Sequence, residues 1–527
     1  MDVIQRAIEK KQHISKIKAL NTQTWEDFAE QSKGKKIVLF GISACADYFF
    51  EHYKNVSLAC VVDNDTHKQG LRVEDFCFDA EQGQMEILSP DSLKQYSAED
   101  IVVLVTSTNY YEPIIMQLEQ LGITRCFVFI IMEAKKRIML QGKSEEIDKA
   151  QVYRNHAEKC CHGNINNLKI VISTFGTYSD HGKYIVEALL QLRKDLDIVY
   201  VMRDLHAEVA AGVRKIYSGN WKRCIYELET AKIWIYNTPI PSYIIKRPEQ
   251  IYIQTTHWSS VTLKKFYLDS PTTQDNRASV ENWHYNSKIM DYMITGSDFD
   301  TESCRRGFGF DGEVCQAGSA RSDALFRQEE LREKIYEYYR IDPEIHLLLY
   351  APTYRFDRPN GAYSYVSREI DLDYKMVKHA LEKRFGGEWN IMLRLHPSVA
   401  KEADKIVKEA FVIDASSYED GEELVAACDM MISDYSSIMF EPAFVLKPVF
   451  LFATDKENYI GKDYELLIDY AELPFPSAAS NDELEKKILQ FDQRKYEDDV
   501  RAFLDQYGVH EDGHASERAA EFIVKLL

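Results

Sequence analysis

The stretch DMMISDYSSIMFEPAFVLKPVFLFATD at residues 429–455 decides the fold predicted for this chain. It contains two short apolar runs, at 430–433 and 449–452, and between them an apolar segment that predicts a helix at 438–446. Short apolar strands on either side of a buried helix are typical of a βαβ unit in a parallel sheet that is covered on both faces. The stretch therefore predicts an α/β fold.

The turn between the first strand and this helix carries Asp434, Ser436 and Ser437. Ligands of parallel sheets bind beyond the carboxyl ends of the strands. Two hydroxyls at a helix start lie beside unpaired backbone N–H groups and the positive end of the helix dipole, an arrangement that suits phosphate. The alternative is that Ser436 or Ser437 serves only as a helix N-cap. Pro442 has no N–H group and is expected to interrupt the helix.

Length and composition bound the class of protein. A chain of 527 residues is too long for one core and predicts roughly three domains. A hydrophobic content of 45% with 12% aromatic residues is typical of a globular protein. The formal charge of −20 argues against a general nucleic-acid binder, because phosphate backbones need a basic face.

The cysteines and the apolar segments indicate the compartment. The ten cysteines include no C-x-x-C pair, which favours free thiols in a reducing compartment over a disulfide framework or a metal site. The first twenty residues lack the apolar core of a secretion signal. The longest apolar runs are far shorter than the ~20 residues of a membrane span. We therefore expect a cytoplasmic protein, and peripheral attachment to a membrane stays open at this point.

The N-terminal third predicts a small α/β domain of its own. Residues 1–33 read as a helical segment, and 34–142 alternate strands with helices in a Rossmann-like pattern. Gly41, Ser43 and Ala46 occupy the positions of a G-x-G-x-x-G/A fingerprint, and Asp63 ends the next strand, where an aspartate holds a ribose in nucleotide-binding sites. Only one of the three fingerprint positions is glycine. The alternative is a Rossmann-like module used structurally or for partners.

Two further α/β domains are predicted after a polar linker at 143–167. They span 168–330 and 331–527, and each candidate chemical residue follows a strand, which predicts a cleft between two facing halves. Two D-x-D pairs, at 298–300 and 371–373, resemble the metal-binding pairs of some glycosyltransferases, but such spacing also arises by chance in acidic loops. We predict no metal site.

From Leu168 to the C-terminus, six motifs in order resemble the CDP-glycerol glycerophosphotransferases of teichoic acid and related bacterial surface polymers, which have a GT-B-type fold. The motifs are TYSDHGKYI, QTTHWSS, GSARSD, YAPTYR, LRLHP and ISDYSSIMFEPA. The resemblance implies transfer of glycerol phosphate, or of a related alditol phosphate, from a CDP-activated donor to a hydroxyl of a surface glycan or polymer. It also implies that no cofactor is required.

The same resemblance implies roles for individual residues. His257 is the candidate general base, because histidine titrates near neutral pH, and His396 beside Arg394 is the candidate to hold the diphosphate. Arg355 is the candidate for a bidentate phosphate contact. The remaining nucleotide-side candidates are Asp434, Ser436, Ser437 and Glu441, the last of which stands where the family has an aspartate and is the candidate to bind the ribose.

The acceptor side is less like the family. Lys264 and Lys265 are candidates for a basic lip that binds a phosphate-rich acceptor, or they form a solvated face, and Arg321 is a further phosphate candidate. Trp258 replaces a glycine of the family motif and is expected to reshape the acceptor pocket.

Two other functions stay open at this point. The first is a GT-B glycosyltransferase that uses a nucleotide sugar, and the second is a non-catalytic scaffold of a capsule assembly complex. The sequence indicates no oligomeric state.

Overall fold

A computed structural model describes residues 3–80, 85–140, 149–274, 276–357, 364–366, 371–396, 399–400, 409–460 and 464–527. Within these ranges the chain forms three parallel sheets, of five, seven and six strands. The first and third sheets lie within regions predicted to be α/β, and the second sheet begins at Asn166, two residues before the predicted region 168–330. No helix of these ranges is long and apolar enough to cross a bilayer.

The first sheet has the strand order β3-β2-β1-β4-β5, and all of its pairings are parallel. The five strands are β1 Lys36–Phe40, β2 Leu58–Val62, β3 Ile87–Leu88, β4 Ile101–Val105 and β5 Cys126–Val128. The helices around it are α1 Val3–Glu9, α2 Trp25–Gln31, α3 Ala44–His52, α4 Val73–Phe76, α5 Tyr111–Gln120 and α6 Phe129–Leu140. This order is that of a Rossmann-like sheet, as predicted.

The second sheet has the order β12-β11-β10-β9-β6-β7-β8. Its strands are β6 Asn166–Ser173, β7 Asp197–Met202, β8 Val213–Tyr217, β9 Ala231–Tyr236, β10 Ile251–Gln254, β11 Tyr292–Thr295 and β12 Glu313–Gln316. Its helices are α7 Lys149–Cys160, α8 Asp180–Leu192, α9 Trp221–Thr230, α10 Pro271–Gln274, α11 Arg277–Ile289 and α12 Asp298–Phe308. Helix α7 lies in the region predicted to be a linker with a helix.

The third sheet has the order β17-β16-β13-β18-β19-β20, and β14 pairs with β15 in a separate antiparallel hairpin. The strands are β13 Ile345–Ala351, β14 Arg355–Asp357, β15 Ser364–Val366, β16 Glu388–Leu393, β17 Val412–Asp414, β18 Met430–Ser433, β19 Val449–Phe452 and β20 Ser477–Ala478. The helices are α13 Gln328–Tyr339, α14 Tyr374–Phe385, α15 Gly421–Ala427, α16 Glu441–Phe444, α17 Lys456–Tyr459, α18 Asn481–Leu489, α19 Gln493–Gln506 and α20 Ala515–Lys525.

The stretch at 429–455 folds as predicted in its strands but not in its helix. Strands β18 and β19 have the predicted bounds, and all eight residues are buried. The helix predicted at 438–446 is instead a 3₁₀ turn at Ser437–Phe440 followed by the single turn α16, with Pro442 in the first turn of α16. Because proline has no N–H group, the preceding turn cannot continue through it as a regular α-helix. The structural break thus lies where Pro442 was expected to cause one.

The end of the chain returns from the third sheet to the second. Helix α20 packs against α8, which follows the first strand of the second sheet. Asp323 fixes this crossing by accepting hydrogen bonds from the backbone N–H groups of Ala515 and Ser516, at 3.0 and 2.8 Å. The last helix belongs to the region predicted at 331–527 but packs on the region predicted at 168–330.

The first sheet's region is anchored to the second through Lys222 of α9. Its side chain is 7% exposed, and its ammonium group lies 3.3 Å from Asp47, 2.7 Å from Glu51 and 2.5 Å from Asp79. Three carboxylates of the first region thus surround one cation of the second. The contact fixes the small domain on the edge of the seven-stranded sheet that carries β8.

Candidate active site

His257 lies in the loop that follows β10, at the carboxyl edge of the second sheet. Its backbone carbonyl accepts a hydrogen bond from Arg321 Nη1 at 3.0 Å, which fixes the loop. Its ring is half-buried, lies edge-on to Phe175 at 5.3 Å between centroids, and has Nδ1 3.3 Å from Tyr267 Oη. Burial lowers the pKa of His257 to about 4. The imidazole is therefore neutral at neutral pH, which is the form that accepts a proton.

Trp258 points away from the cleft. It is buried against Phe266 and Phe308, with ring centroids at 4.3 and 6.4 Å, and its Nε1 donates to Asp300 Oδ1 at 2.9 Å. The indole therefore packs beneath the His257 loop, so the predicted effect of Trp258 on the acceptor pocket would act through the position of this loop. Asp300 belongs to one of the two D-x-D pairs, and its carboxylate accepts this hydrogen bond from Trp258.

His396 lies in the segment that follows β16, at the carboxyl edge of the third sheet. It is exposed, and its ring packs against Tyr354 with centroids 4.3 Å apart. Desolvation by the surrounding protein and the positive charges of Lys264 and Arg394 lower the pKa of His396 to about 4. A neutral imidazole in this setting can donate one hydrogen bond to a phosphate oxygen.

The loop that carries His257 also crosses the cleft to the third sheet. Thr262 Oγ1 lies 3.0 Å from Ser437 Oγ, and the Leu263 N–H group donates to the same oxygen at 3.3 Å. Further along, the Lys265 N–H group donates to the Glu465 carbonyl at 2.9 Å. The charge of Lys264 in this loop acts on His396, so the loop that begins at His257 extends to within electrostatic range of His396.

The two serines of the 434–437 turn have different surroundings. The Ser437 hydroxyl is used by the contacts across the cleft. Ser436 is half-buried, and its hydroxyl makes no hydrogen bond with the described residues. Of the two, Ser436 has the hydroxyl that a ligand can reach without breaking a bond between the two sheets.

Lys264 and Lys265 are adjacent but differ in environment. Lys264 Nζ donates to Tyr459 Oη at 3.1 Å and lies 4.7 Å from the ring centroid of Tyr464. Burial lowers the pKa of Lys264 to about 8. Lys265 forms an ion pair with Glu465 at 2.7 Å. Lys264 therefore faces the cleft, whereas Lys265 ties the two halves together at its rim.

Arg355 and Asp434 form one network with Asp455. The Arg355 guanidinium binds both oxygens of Asp455, at 2.8 and 3.0 Å, and one oxygen of Asp434, at 3.0 Å. Asp434 is buried and also accepts from the backbone N–H and hydroxyl groups of Thr353, at 2.8 and 2.6 Å. These contacts brace the turn. Arg355 binds a phosphate only by giving up part of this carboxylate pairing.

Arg394 also has protein partners. Its Nη1 donates to the carbonyl groups of Tyr418 and Ala415, at 2.6 and 3.3 Å. The side chain therefore holds the loop that leads into α15. Its charge acts on His396 from this position.

Arg321 lies in a buried ionic cluster between the two halves, in a setting that differs from the predicted phosphate contact. Its side chain is 11% exposed and pairs with Asp180 at 3.1 Å, with Glu441 at 3.0 Å and with Glu422. Burial raises the pKa of Glu441 to about 7. Glu441 was the candidate to bind the ribose, but its carboxyl group is 1% exposed, so it is placed to hold the two halves together.

Protein contacts also occupy the predicted nucleotide site of the first sheet. Gly41 has a φ of 100°, as a tight turn requires, and Ser43 caps α3 by accepting from the Cys45 N–H group at 3.1 Å. Asp63 is buried and accepts from the Ile42 N–H group at 2.6 Å. Lys68 Nζ lies 3.5 Å from Asp63. The Asp63 carboxylate is therefore occupied by contacts within the protein, whereas binding a ribose would require its oxygens to accept from the ribose hydroxyl groups.

Sequence reasoning missed Asp180 and Phe175, which lie beside His257. Both have positive φ, of 58° and 54°, and both belong to the segment STFGTYSD. The motif TYSDHGKYI noted in the sequence begins at Thr177 and so includes Asp180 but not Phe175, and no sequence signal showed that either residue is left-handed. Among the described residues, no group of three or more His, Cys, Asp or Glu side chains could hold a metal ion.

Comparisons with known proteins show what this chain is similar to. The teichoic acid poly(glycerol phosphate) polymerase of Staphylococcus epidermidis is 28% identical over 377 residues, which make up 69% of this chain and 51% of that protein. The polymerase of the same name from Bacillus subtilis is 29% identical over 312 residues, 57% of this chain and 41% of that protein. This chain thus spans about half the length of these curated relatives.

A third relative, the teichoic acid glycerol-phosphate transferase of Staphylococcus aureus, is 26% identical over 66% of this chain and 90% of that protein. Among solved structures, the wall teichoic acid polymerase TagF superimposes with a TM-score of 0.62 and 25% identity, over 74% of this chain and 95% of that chain. This likeness confirms the predicted GT-B-type pair of facing Rossmann-like domains.

The family model described as CDP-Glycerol:Poly(glycerophosphate) glycerophosphotransferase matches residues 158–525, which include both facing domains and every residue of the cleft named above. The chain belongs to this glycerophosphotransferase family.

Proposed function

We propose that this protein transfers glycerol phosphate from CDP-glycerol to a hydroxyl group of a teichoic-acid-like polymer or related surface glycan, with release of CMP. The observation that supports the proposal is the loop from His257 to Lys265, which follows the second sheet, contacts Ser437 of the third and brings the charge of Lys264 to bear on His396. His257 and His396 both have a pKa of about 4, so both are neutral where the enzyme works. A neutral imidazole on the acceptor side can take a proton, and one on the nucleotide side can donate to a phosphate.

The reaction proposed is a displacement at the β-phosphorus of the donor. The acceptor oxygen forms a bond to this phosphorus, and His257 accepts the hydroxyl proton. The bond from the β-phosphorus to the bridging oxygen breaks, and CMP leaves with that electron pair. His396, the Ser436 hydroxyl and the positive charge of Lys264 stabilise the phosphoryl oxygens, so the rate enhancement comes from positioning and electrostatics.

The cellular setting is part of the proposal. The relatives are named for teichoic acid, and the solved relative is a wall teichoic acid polymerase. We therefore propose that the protein acts on the cytoplasmic side and attaches peripherally to the inner face of the membrane. The same chemistry would serve a capsule polymer that contains alditol phosphate.

The test is a panel of nucleotide-activated substrates. Purified protein is incubated with an acceptor and with CDP-glycerol, CDP-ribitol or UDP-sugars, and nucleotide release and ³¹P NMR of the product are recorded. We expect CMP release from CDP-glycerol together with a new phosphodiester signal. Turnover of UDP-sugars without a new phosphodiester would show instead a GT-B glycosyltransferase. Binding of other proteins without any nucleotide release would show a scaffold.

A further inference from the structure

Phe175, in the loop after β6, is exposed although it lies beside the candidate base. Its side chain is 46% exposed, and its ring lies edge-on to His257 at 5.3 Å. Its φ is 54°, a left-handed backbone that is costly for a large side chain. The phenylalanine at this position is therefore explained neither by burial of its ring nor by the conformation of its backbone. Strain of this kind is found where a side chain is held for function.

The loop holds Phe175 firmly in this conformation. Thr174 Oγ1 donates to the Thr177 carbonyl at 2.9 Å, and the Thr177 N–H group donates to the Thr174 carbonyl at 3.1 Å. Behind the loop, a Cβ atom on Gly182 would lie 2.7 Å from Thr174 Cγ2, so α8 packs closely against it. The exposed ring is therefore presented by a rigid support.

Arg203 follows β7 and lies on the other side of the same loop. Its N–H group donates to the Gly176 carbonyl at 2.7 Å, and a Cβ atom on Gly176 would lie 2.6 Å from Arg203 Cγ. The aliphatic stem of Arg203 therefore packs on the residue next to Phe175. Arg203 is exposed, and its guanidinium forms no ion pair with the described residues.

Most of the other cations near the cleft form ion pairs with carboxylates. Lys265 pairs with Glu465, Arg321 with three carboxylates, and Lys183 of α8 with Asp420 and Glu423 at 2.5 and 2.6 Å. Asp204, the next residue, lies 4.0 Å from His67 of the first domain, and its charge adds to the effect of burial in raising the pKa of Glu419 in the third. On the second sheet's side of the cleft, Arg203 thus presents a guanidinium that no carboxylate of the described ranges pairs with.

We propose that Phe175 and Arg203 form a binding subsite for the acceptor, in which the ring packs against the carbon–hydrogen face of a polyol or sugar and the guanidinium binds the phosphate that this unit carries. A planar guanidinium binds phosphate in a bidentate manner, and an aromatic ring gives a rigid apolar surface. The inference rests on the proposed function, since it makes the neighbour of His257 the site of the attacking hydroxyl. It replaces Lys265 and Arg321 as the acceptor-side phosphate contacts.

The test compares two acceptors that differ only in phosphate, an alkyl glycerol phosphate and the matching alkyl glycerol, with CDP-glycerol as the donor. For Arg203→Gln we expect the KM of the phosphorylated acceptor to rise about tenfold or more, with the KM of the uncharged acceptor and of CDP-glycerol unchanged. For Phe175→Gly we expect a similar rise for both acceptors. Thermal unfolding of Phe175→Gly should stay within a few degrees of the wild type, because glycine accepts this φ.

Matched controls are Arg277→Gln, which changes an exposed arginine of α11, and Tyr110→Ala, which removes an exposed ring of the first domain. Both should leave every KM unchanged. Equal losses for the two acceptors in Arg203→Gln, or a KM change for CDP-glycerol alone, would overturn the subsite. Direct calorimetric binding of the phosphorylated acceptor, lost in Arg203→Gln but present in Arg277→Gln, supports the subsite even if no CDP-alditol is turned over. That last outcome would refute the proposed reaction and not the subsite.

Discussion

At the scale of single residues, the environment of His257 sets the pH range of activity. Burial lowers its pKa to about 4, so the imidazole is a neutral base down to acidic pH. We expect kcat/KM to stay level between about pH 5.5 and 7 and to fall as pH approaches the histidine pKa. A second fall is expected toward pH 8, because burial lowers the pKa of Lys264 to about 8 and its positive charge is then lost. A pH–rate profile checks this. A tenfold loss per pH unit that begins near 6.5, the ordinary histidine pKa, would show that the acting group is not shielded in this way.

A second residue-scale prediction concerns Glu441, whose pKa is raised to about 7 by burial. A carboxyl group with a raised folded-state pKa binds more protons in the folded than in the unfolded state between about pH 4.5 and 7. Its contribution to the free energy of unfolding is therefore lost as pH rises through that window. We expect Glu441→Gln to be more stable than the wild type by at least about 1 kcal/mol at pH 8, with little difference at pH 4.5.

Urea denaturation at the two pH values measures this difference. A wild type that is more stable than Glu441→Gln at pH 8 would show that Glu441 is ionised and that its ion pair with Arg321 adds to the free energy of unfolding.

Residue identity alone predicted which side chains are chemically able to act but not which of them are already paired. His257 and His396 follow strands that the apolar pattern revealed, so their places at two sheet edges followed from sequence. Arg321 lies in a 3₁₀ turn and Lys265 in a loop, and the carboxylates that pair with them include Glu422 and Glu465 from the other half of the cleft. Contacts between residues that distant in sequence leave no local signal.

At the scale of elements, the Ser437 hydroxyl links the loop after β10 to the turn after β18. It accepts a hydrogen bond from the Leu263 N–H group, and a hydrogen bond of this kind contributes about 0.5–1.5 kcal/mol to stability. We expect Ser437→Ala to speed amide hydrogen exchange at Leu263 and Lys265 by about two- to tenfold. Ser436→Ala is the control, because the Ser436 hydroxyl makes no hydrogen bond with the described residues, and it should leave these amides unchanged. Equal amide exchange rates in both variants would mean that the hydrogen bond from Leu263 to Ser437 does not form in solution.

Elements were predicted best where apolar runs have sharp polar borders. Strands β18 and β19 were placed to the residue, because each is an uninterrupted apolar run in the middle of a sheet. The helix between them was extended too far, since the apolar pattern continues through Pro442 while hydrogen bonding does not. The left-handed residues of the loop after β6 had no signal, because positive φ at phenylalanine and aspartate is set by tertiary contacts.

At the scale of the molecule, Lys222 decides whether the small N-terminal domain stays in place. Its ammonium group is the shared partner of three carboxylates from that domain. We expect Lys222→Met to weaken the domain contact by about 1–3 kcal/mol, between the values for exposed and for buried ion pairs. Small-angle scattering should then give a larger radius of gyration than for the wild type.

Lys246→Met is the matched control, because Lys246 pairs with Asp291 inside the second domain. It should not change the radius of gyration. An unchanged value for both variants would show that apolar contacts such as Phe76 against Tyr217 hold the domain without the lysine.

The central claim concerns the whole molecule, namely that His257 and His396 act from opposite walls on one diphosphate. The most direct measurement is a double-mutant cycle on CMP release from CDP-glycerol with His257→Ala, His396→Ala and the double variant. Loss of a general base is expected to lower the rate by ~10²–10⁴-fold. Residues that act as a unit in one transition state are strongly non-additive, so the double variant should fall little below the slower single variant. Losses that multiply, or a loss of less than about threefold for His257→Ala, would contradict the claim.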